Sequence, residues 1–275
     1  MNEIERPGRE LDFLLRVTRR LPRTRGAVRF AVLARKFYLR RPRGVVVADV
    51  MGFKMKLDPA DWVQGGLLFW PQLWDINEFK FLARHLHPGD TFLDVGAHVG
   101  FVALIASRLV GPQGTVVSVE AAPDLFRRLC EHLEMNQVRN VRAFNVAASD
   151  RHEIANLSPP ETDNSAGRSV LTKDPGGEPV KCVPLKDLVH ESGVTKISGA
   201  WLEIAGAEFK VLNRYFQDCD RSLWPGFMIV EQNLGWKPLA GGDVFALLRD
   251  VGYREEALQV LPSKELSNRA FVLPG

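Results

Sequence analysis

The run Thr91–Gly100 restricts the fold of this chain more than any other segment. A short apolar stretch, Thr91-Phe92-Leu93-Asp94-Val95, meets the turn Gly96-Ala97-His98-Val99-Gly100 and then the apolar stretch Phe101–Leu109. Four or five apolar residues bounded by glycine read as a buried strand, and the longer stretch after the turn reads as a helix. The rhythm then continues. Thr115–Val119 is a second strand, and Pro123–Asn136 is an amphipathic helix with Leu125, Leu129, Cys130 and Leu133 inward. Val141–Val146 is a third strand. Such a βαβαβ order implies a parallel sheet with helices on both faces. Ala200–Ile204 and Phe227–Val230 read as two more buried strands around a helix at Ala207–Phe216. After a helix at Phe245–Val251, Glu256–Leu261 and Ala270–Leu273 read as a final antiparallel pair. The expected fold is therefore α/β, with a seven-stranded, mostly parallel sheet.

A helical and hairpin segment precedes it. Leu11, Leu14, Leu15 and Thr18 recur at helical spacing until Leu21-Pro22. A second helix places Val28, Ala31, Val32 and Arg35 on one face and runs to about Leu39. Val45–Ala48 and Phe53–Leu57 flank a turn at Met51-Gly52 and read as a hairpin. A helix from about Ile76 to Leu86 leads into the first sheet strand. The expected division is an N-terminal cap segment, 1–88, and a cofactor-binding domain, 89–275. Leu157–Gly177 is rich in Pro, Ser, Asp and Gly and reads as a long, lid-like loop interrupted at Ser169-Val170-Leu171. The aromatic group Trp62, Phe69, Trp70 and Trp74 is either a pocket wall or core packing.

Composition narrows the function classes. Residues 1–44 hold thirteen Lys and Arg against four Asp and Glu, a balance of +9, while the rest of the chain carries −6. The basic arm is either a solvated helical face or a contact for an anionic membrane, nucleic acid or phosphorylated partner. It would cap an acceptor pocket or dock on an anionic surface. There is no apolar run of about 18 residues and no apolar leader, so neither a membrane span nor a secretory signal is expected. Cys130, Cys182 and Cys219 are widely spaced and fit a reduced, cytoplasmic compartment. His85, His87, His132, His152 and His190 show no ligand spacing and read as surface or loop residues.

The turn carries the chemistry. Glycine at 96 permits a sharp bend, and Gly100 lets the helix start approach strand and ligand closely. Dinucleotide sites use G-x-G-x-x-G. Here the glycines are four residues apart and residue 98 is His, with an acid, Asp94, ahead of the turn. That departs from the dinucleotide pattern and fits an S-adenosylmethionine turn. Glu120, at the tip of the second strand, is placed to bind two ribose hydroxyls, which by itself suits either NAD or S-adenosylmethionine.

From Val45 to Leu273 the chain resembles the FkbM-type methyltransferases, a branch of the class I, Rossmann-like S-adenosylmethionine-dependent fold. The resemblance is carried by Trp74 and Glu78, Pro88-Gly89-Asp90, and Leu93 to Gly100. It continues through Val119-Glu120-Ala121-Ala122-Pro123, Asn136, Asn145 to Asp150, Ser169-Val170 and Leu185 to Leu188. Glu203-Ile204-Ala205-Gly206-Ala207-Glu208 and Ile229-Val230-Glu231 complete it. It implies that Asp94, Gly96, His98 and Gly100 line the methionine and ribose portion of the cofactor. It also implies that Glu120 takes the ribose hydroxyls, that Ala121 and Ala148 flank the adenine near Ser149, and that Glu78 approaches the amino-acid end. The family run Ile-Asp-Val-Glu-Gly-Ala-Glu is here Leu202-Glu203-Ile204-Ala205-Gly206-Ala207-Glu208. The changes at 203 and 205 leave open a different substrate or a weakened enzyme.

Glu203, Glu231, Glu208 and His98 are the candidate groups for removing a proton from a hydroxyl acceptor, with His98 favoured as a cofactor contact. Glu203, Glu231 and Asn233 are also oxygen ligands of the kind Mg2+ takes, but strand-end glutamates more often cap or face solvent, and no metal is expected. The expected activity is O-methylation of a hydroxyl on a sugar or other natural-product metabolite, a small-molecule acceptor. The alternatives are an RNA-directed methyltransferase, and a cofactor-binding module without acceptor chemistry. The chain lacks the Asp/Asn-Pro-Pro-Tyr/Phe run of amino-methylases after the fourth strand, which argues against nucleic-acid bases. A homo-oligomer is compatible with the sequence.

Overall fold

Leu11, Leu15 and Thr18 share the buried face of the first helix, α1 (Arg9–Thr18). The second, α2 (Arg25–Tyr38), starts where the Thr24 hydroxyl accepts from Ala27 N at 3.3 Å, an N-cap that satisfies one of the helix's free donors. Its buried face holds Ala27, Ala31, Ala34, Arg35 and Tyr38. Val28, expected on that face, is exposed instead, and Ala27 takes its place. Arg35 is buried because its Nε donates to Pro59 O at 2.7 Å, its guanidinium also reaches Ala60 O, and its charge lies 5.6 Å from the Trp62 ring. The computed structural model describes residues 8–22, 24–41, 43–74, 76–159, 165, 168, 170–171, 177–231, 242–258 and 268–274.

The chain forms two compact units: Met1–Ile76 with Glu134–Asn136 and Pro160–Gly167, and the remaining segments from Asn77 on. In the first unit the hairpin is present as β1 (Val46–Val50) and β2 (Phe53–Leu57), antiparallel with Val50 opposite Phe53. The sequence reading missed α3 (Trp62–Phe69), which is capped by Asp61 accepting from Gln64 N at 2.8 Å. Phe69 and Trp70 are buried, and Phe69 packs on Tyr38 at 5.9 Å. These two rings of the aromatic group are core packing.

The second unit carries the sheet. Helix α4 (Ile76–His85) leads to β3 (Thr91–Val95), α5 (Phe101–Val110), β4 (Thr115–Val119), α6 (Pro123–Met135) and β5 (Val141–Phe144). Further on come β6 (Ala147–Ser149), β7 (Glu153–Leu157), β8 (Val170–Leu171), β9 (Glu178–Pro184) and α7 (Leu185–Glu191). The chain closes with β10 (Gly199–Leu202), α8 (Glu208–Asp218), β11 (Phe227–Glu231), α9 (Val244–Asp250), β12 (Arg254–Glu256) and β13 (Asn268–Val272). Seven strands form one sheet in the order β12-β13-β11-β10-β3-β4-β5, and β13 alone runs against its neighbours. This is the expected seven-stranded, mostly parallel architecture. Leu93, Val95, Val117, Leu202 and Val230 on one face join the core built by α7, α8 and α9. On the other face, Phe79 of α4 meets Phe101 of α5 at 5.5 Å and Trp201 of β10 at 5.9 Å.

Two further features, both in the second unit, differ from the sequence reading. The third strand stops at Phe144, and Ala147–Ser149 enters a separate four-stranded sheet, order β6-β9-β7-β8. The break occurs where Asn145 Nδ2 donates to Glu120 O at 2.9 Å and Ala121 O at 3.2 Å. In the segment expected as a loop from Leu157 to Gly177, Leu157 ends β7, the expected interruption is β8 at Val170–Leu171, and most of the other residues, with Ser169, lie outside the described set. The second difference is His132. It is fully buried on α6, and its Nδ1 lies 2.7 Å from Val99 O, so it is not a surface residue. A buried carbonyl without a partner is costly, and this imidazole supplies the donor.

His132→Ala should lower unfolding free energy by about 2 kcal/mol, from the lost bond and the cavity. His190→Ala, on an exposed position of α7, should change it by less than about 0.5 kcal/mol. Chemical denaturation of both variants checks the contrast.

Candidate cofactor-binding site

Asp94, the turn 96–100, Glu120, Glu203 and Glu231 lie at or near the C-terminal ends of the parallel strands, where open α/β sheets bind ligands. β3 ends in the turn 96–100, which β4 supports from the side: Gly96 N and Ala97 N both donate to Val119 O, at 2.9 and 3.0 Å. Gly96 has φ +89°, and a Cβ there would run into the Glu203 carbonyl oxygen just past β10. Glycine is required both for the backbone angle and for the close approach. Gly100, φ +83°, is the N-cap of α5, and a Cβ would lie 3.0 Å from Leu129 Cγ.

His98 adopts φ +51°, a region that costs an L-residue about 1 kcal/mol. The compensation comes from its N–H, which donates to Glu120 Oε2 at 2.7 Å. A hydrogen bond to a charged acceptor is worth roughly 2 kcal/mol. The other oxygen, Oε1, accepts from Ala122 N at 2.8 Å. Glu120 therefore ties the β3 turn to the β4 turn. It is buried, and burial pushes its carboxyl up to about 7 although the N–H groups of Ala122 and His98 favour the anion.

Asp94 sits in a row of register partners, Trp201–Asp94–Ser118, on three adjacent strands. All three are almost wholly buried. Trp201 Nε1 and Asp94 Oδ2 have no hydrogen-bond partner among the described residues, while the Ser118 hydroxyl, beside Asp94 on β4, favours its anion. Burial first, and the negative charge of Glu120 second, raise the Asp94 carboxyl to about 7. Buried polar atoms left in this state mark a place where a ligand or water completes the bonding.

The other candidates fall into two groups. Ala121 follows Glu120, while Ala148 and Ser149 lie on β6, with the buried Ser149 Oγ donating to Asp150 Oδ1 at 3.2 Å. Glu78 is half-buried in the first turn of α4, beside the Phe79 that packs on Trp201. Glu203 is exposed, and its N–H donates to Val95 O at 3.0 Å. Glu203 and Glu231 each lie one residue beyond the Leu202–Val230 register pair, at adjacent strand tips. Glu208 is different. It is buried in the first turn of α8, and Oε1 accepts from Ile204 N at 2.8 Å, which closes the turn containing Ala205 at φ +53°. Burial, with a contribution from the Glu231 charge, raises its carboxyl. Asn233 lies outside the described residues, and among those described no three His, Cys, Asp or Glu group as metal ligands.

Arg168 was not singled out by the sequence. Its guanidinium bonds Asp124 at 2.8 Å, Glu178 at 3.0 Å and Ser158 O at 3.1 Å, and its positive charge favours the Glu120 anion. The only signal was a lone arginine in a segment poor in cations.

The profile of the methyltransferase FkbM domain matches residues 94–255, more than half of the chain. The chain belongs to the FkbM methyltransferase family. The match begins at Asp94 itself, so the FkbM domain of this chain includes the glycine turn, Glu120 and the tips of β10 and β11. Among curated proteins, an arsenite methyltransferase of Halobacterium salinarum is 37% identical over 54 residues, covering 20% of this chain and 14% of that protein. A protein-L-isoaspartate O-methyltransferase of Ignicoccus hospitalis is 39% identical over 59 residues, covering 22% and 28%. The matches thus span under a third of either relative. Among solved structures, the precorrin-6y C5,15-methyltransferase of Geobacter metallireducens superposes with a TM-score of 0.45 at 14% identity, covering 74% of this chain and 89% of that one.

Because folding raises the Asp94 carboxyl, the folded state binds the proton more tightly than the unfolded chain, and the ligand-free protein loses stability as pH rises through about 4 to 7. Asp94→Asn removes this titration. Its melting temperature relative to wild type should therefore climb between pH 5.5 and 8; a constant difference would show that Asp94 is not a buried, proton-linked acid. Glu208→Ala should cost about 1 kcal/mol of stability through the lost cap, and Glu208→Gln, which keeps the acceptor, much less.

Proposed function

We propose that this chain is an S-adenosylmethionine-dependent methyltransferase that methylates a hydroxyl of a sugar or other specialised metabolite. The observation that carries the reading is the pair of buried carboxylates, Asp94 and Glu120, around a glycine turn that admits no side chain at 96. These residues fit the cofactor: the unpaired Asp94 oxygen and the Glu120 carboxylate are acceptors, S-adenosylmethionine offers ammonium and ribose hydroxyl donors, and its sulfonium is positive. The bound cofactor supplies an activated methyl group.

In this reading Asp94, Gly96, His98 and Gly100 line the methionine and ribose portion, and Glu120 accepts from the ribose hydroxyls. Ala121 and Ala148 flank the adenine beside Ser149, and Glu78 approaches the amino-acid end. The protein's main task is to hold an acceptor oxygen in line and to exclude water. A base at a strand tip would take the hydroxyl proton. Glu203 and Glu231 are the better placed, since they stand at adjacent strand tips while Glu208 is buried in the first turn of α8. No metal enters this scheme.

A second reading is a cofactor-binding module without turnover. The observation behind it is Ala205, which stands where the family run carries an acid and takes a positive φ between β10 and α8. Binding without methyl release to any hydroxyl acceptor would favour it. For the cofactor site, calorimetry of Asp94→Ala and Glu120→Ala should show S-adenosylmethionine binding abolished in both. Wild-type affinity in both variants would overturn the assignment.

A further inference from the structure

The helix α2 is built inside out. Its packed face carries the small side chains Ala27, Ala31 and Ala34, while Phe30 (49% exposed), Leu33 (64%) and Phe37 (48%) stand on an adjacent, solvent-facing side. Their spacing of three and four residues puts them in one stripe. On α1, Phe13 is 66% exposed. Eight large apolar side chains are exposed among the described residues, and five of them lie on these two helices. A concentration of this kind marks a contact surface, since scattered single residues would need no explanation.

The cations sit in the same stripe. Arg29 and Lys36 are exposed on α2 at positions flanking Leu33, and Arg40, two residues past the helix end, places its guanidinium 5.0 Å from the Phe37 ring centre. α2 contains no acidic residue. On α1, exposed Arg9 and Arg16 lie four residues before and three after Phe13, with Arg20 exposed just past the helix end, against the exposed acids Glu10 and Asp12 in the first turn.

We infer that the exposed face of α1 and α2 docks on an anionic lipid bilayer. Aromatic and leucine side chains fit the boundary between headgroups and acyl chains, while arginine and lysine stems lie along it with their charges at the phosphates. At 10 and 14 residues the helices are too short to cross a bilayer and are suited to lie in its surface plane. Charge decides the occupant. A second copy would bring another segment of balance +9 against this one, which is repulsive, whereas an anionic leaflet attracts it. The inference is independent of the cofactor site.

The test is vesicle flotation of the full chain at about 0.1 M salt, comparing phosphatidylcholine with phosphatidylcholine plus phosphatidylglycerol. Two triple variants accompany it, Phe30→Ser/Leu33→Ser/Phe37→Ser and Arg29→Glu/Lys36→Glu/Arg40→Glu, with helicity checked by circular dichroism. All six positions are exposed, so the fold should persist. The wild type should partition onto the anionic vesicles about tenfold or more over the neutral ones, and each triple variant should lose about tenfold. Equal binding to both vesicle types, no binding by the wild type, or undiminished binding by both variants would overturn the inference. So would concentration-dependent self-association of the wild type that the serine variant abolishes.

Discussion

Two backbone N–H groups from two different strand–helix turns converge on one buried carboxylate. His98 N and Ala122 N hold opposite oxygens of Glu120, and the consequences spread through the second unit. The bond to His98 compensates a backbone angle that a non-glycine residue otherwise avoids, and so fixes the turn between β3 and α5. The turn brings Gly96 against the Glu203 carbonyl and seats Gly100 against Leu129. His132, on the same helix as Leu129, then satisfies the Val99 carbonyl. Asn145 continues the pattern by holding the Glu120 and Ala121 carbonyls, which ends β5 and redirects the chain into the second sheet.

This arrangement places two carboxyls where neither is comfortable. Asp94 lacks a partner on one oxygen and lies between Ser118 and Trp201, whose indole Nε1 is also without a partner among the described residues. Hydrophobic strands would be more stable with an apolar residue at 94. Under the proposed function the acid serves a ligand outside the chain, a positively charged cofactor with several donors. The stability cost and the binding capacity are the same property seen without and with the ligand.

Much of this was legible in the sequence because the signals were local. β3, α5, β4 and α6 have boundaries set by glycine, by helical spacing and by runs of valine, and they fall within a residue or so of the expected positions. The second sheet was not legible. β6 is three residues long, β9 contains Pro179 and Pro184, and its pairing with β6 and β7 is between segments that carry no hairpin signal. His132 could have been found, since it continues the Leu125–Leu129 spacing on the inward face of α6, but a histidine there was read as solvated. Glu208 was read as a chemical group because the capping role depends on the 204–207 turn, which only the fold reveals. The exposed phenylalanines of α2 were invisible for a related reason: the sequence shows an amphipathic helix but not which face finds a partner.

The central claim is that Asp94 and Glu120, each held near 7 by burial, ionise to receive a cationic cofactor. Titration calorimetry with S-adenosylmethionine at pH 6 and pH 8, in buffers of different ionisation enthalpy, tests it directly. Ionisation favours the cation, so affinity should be higher at pH 8, and binding at pH 6 should release protons to the buffer. Equal affinity at both values with no proton release would contradict the account.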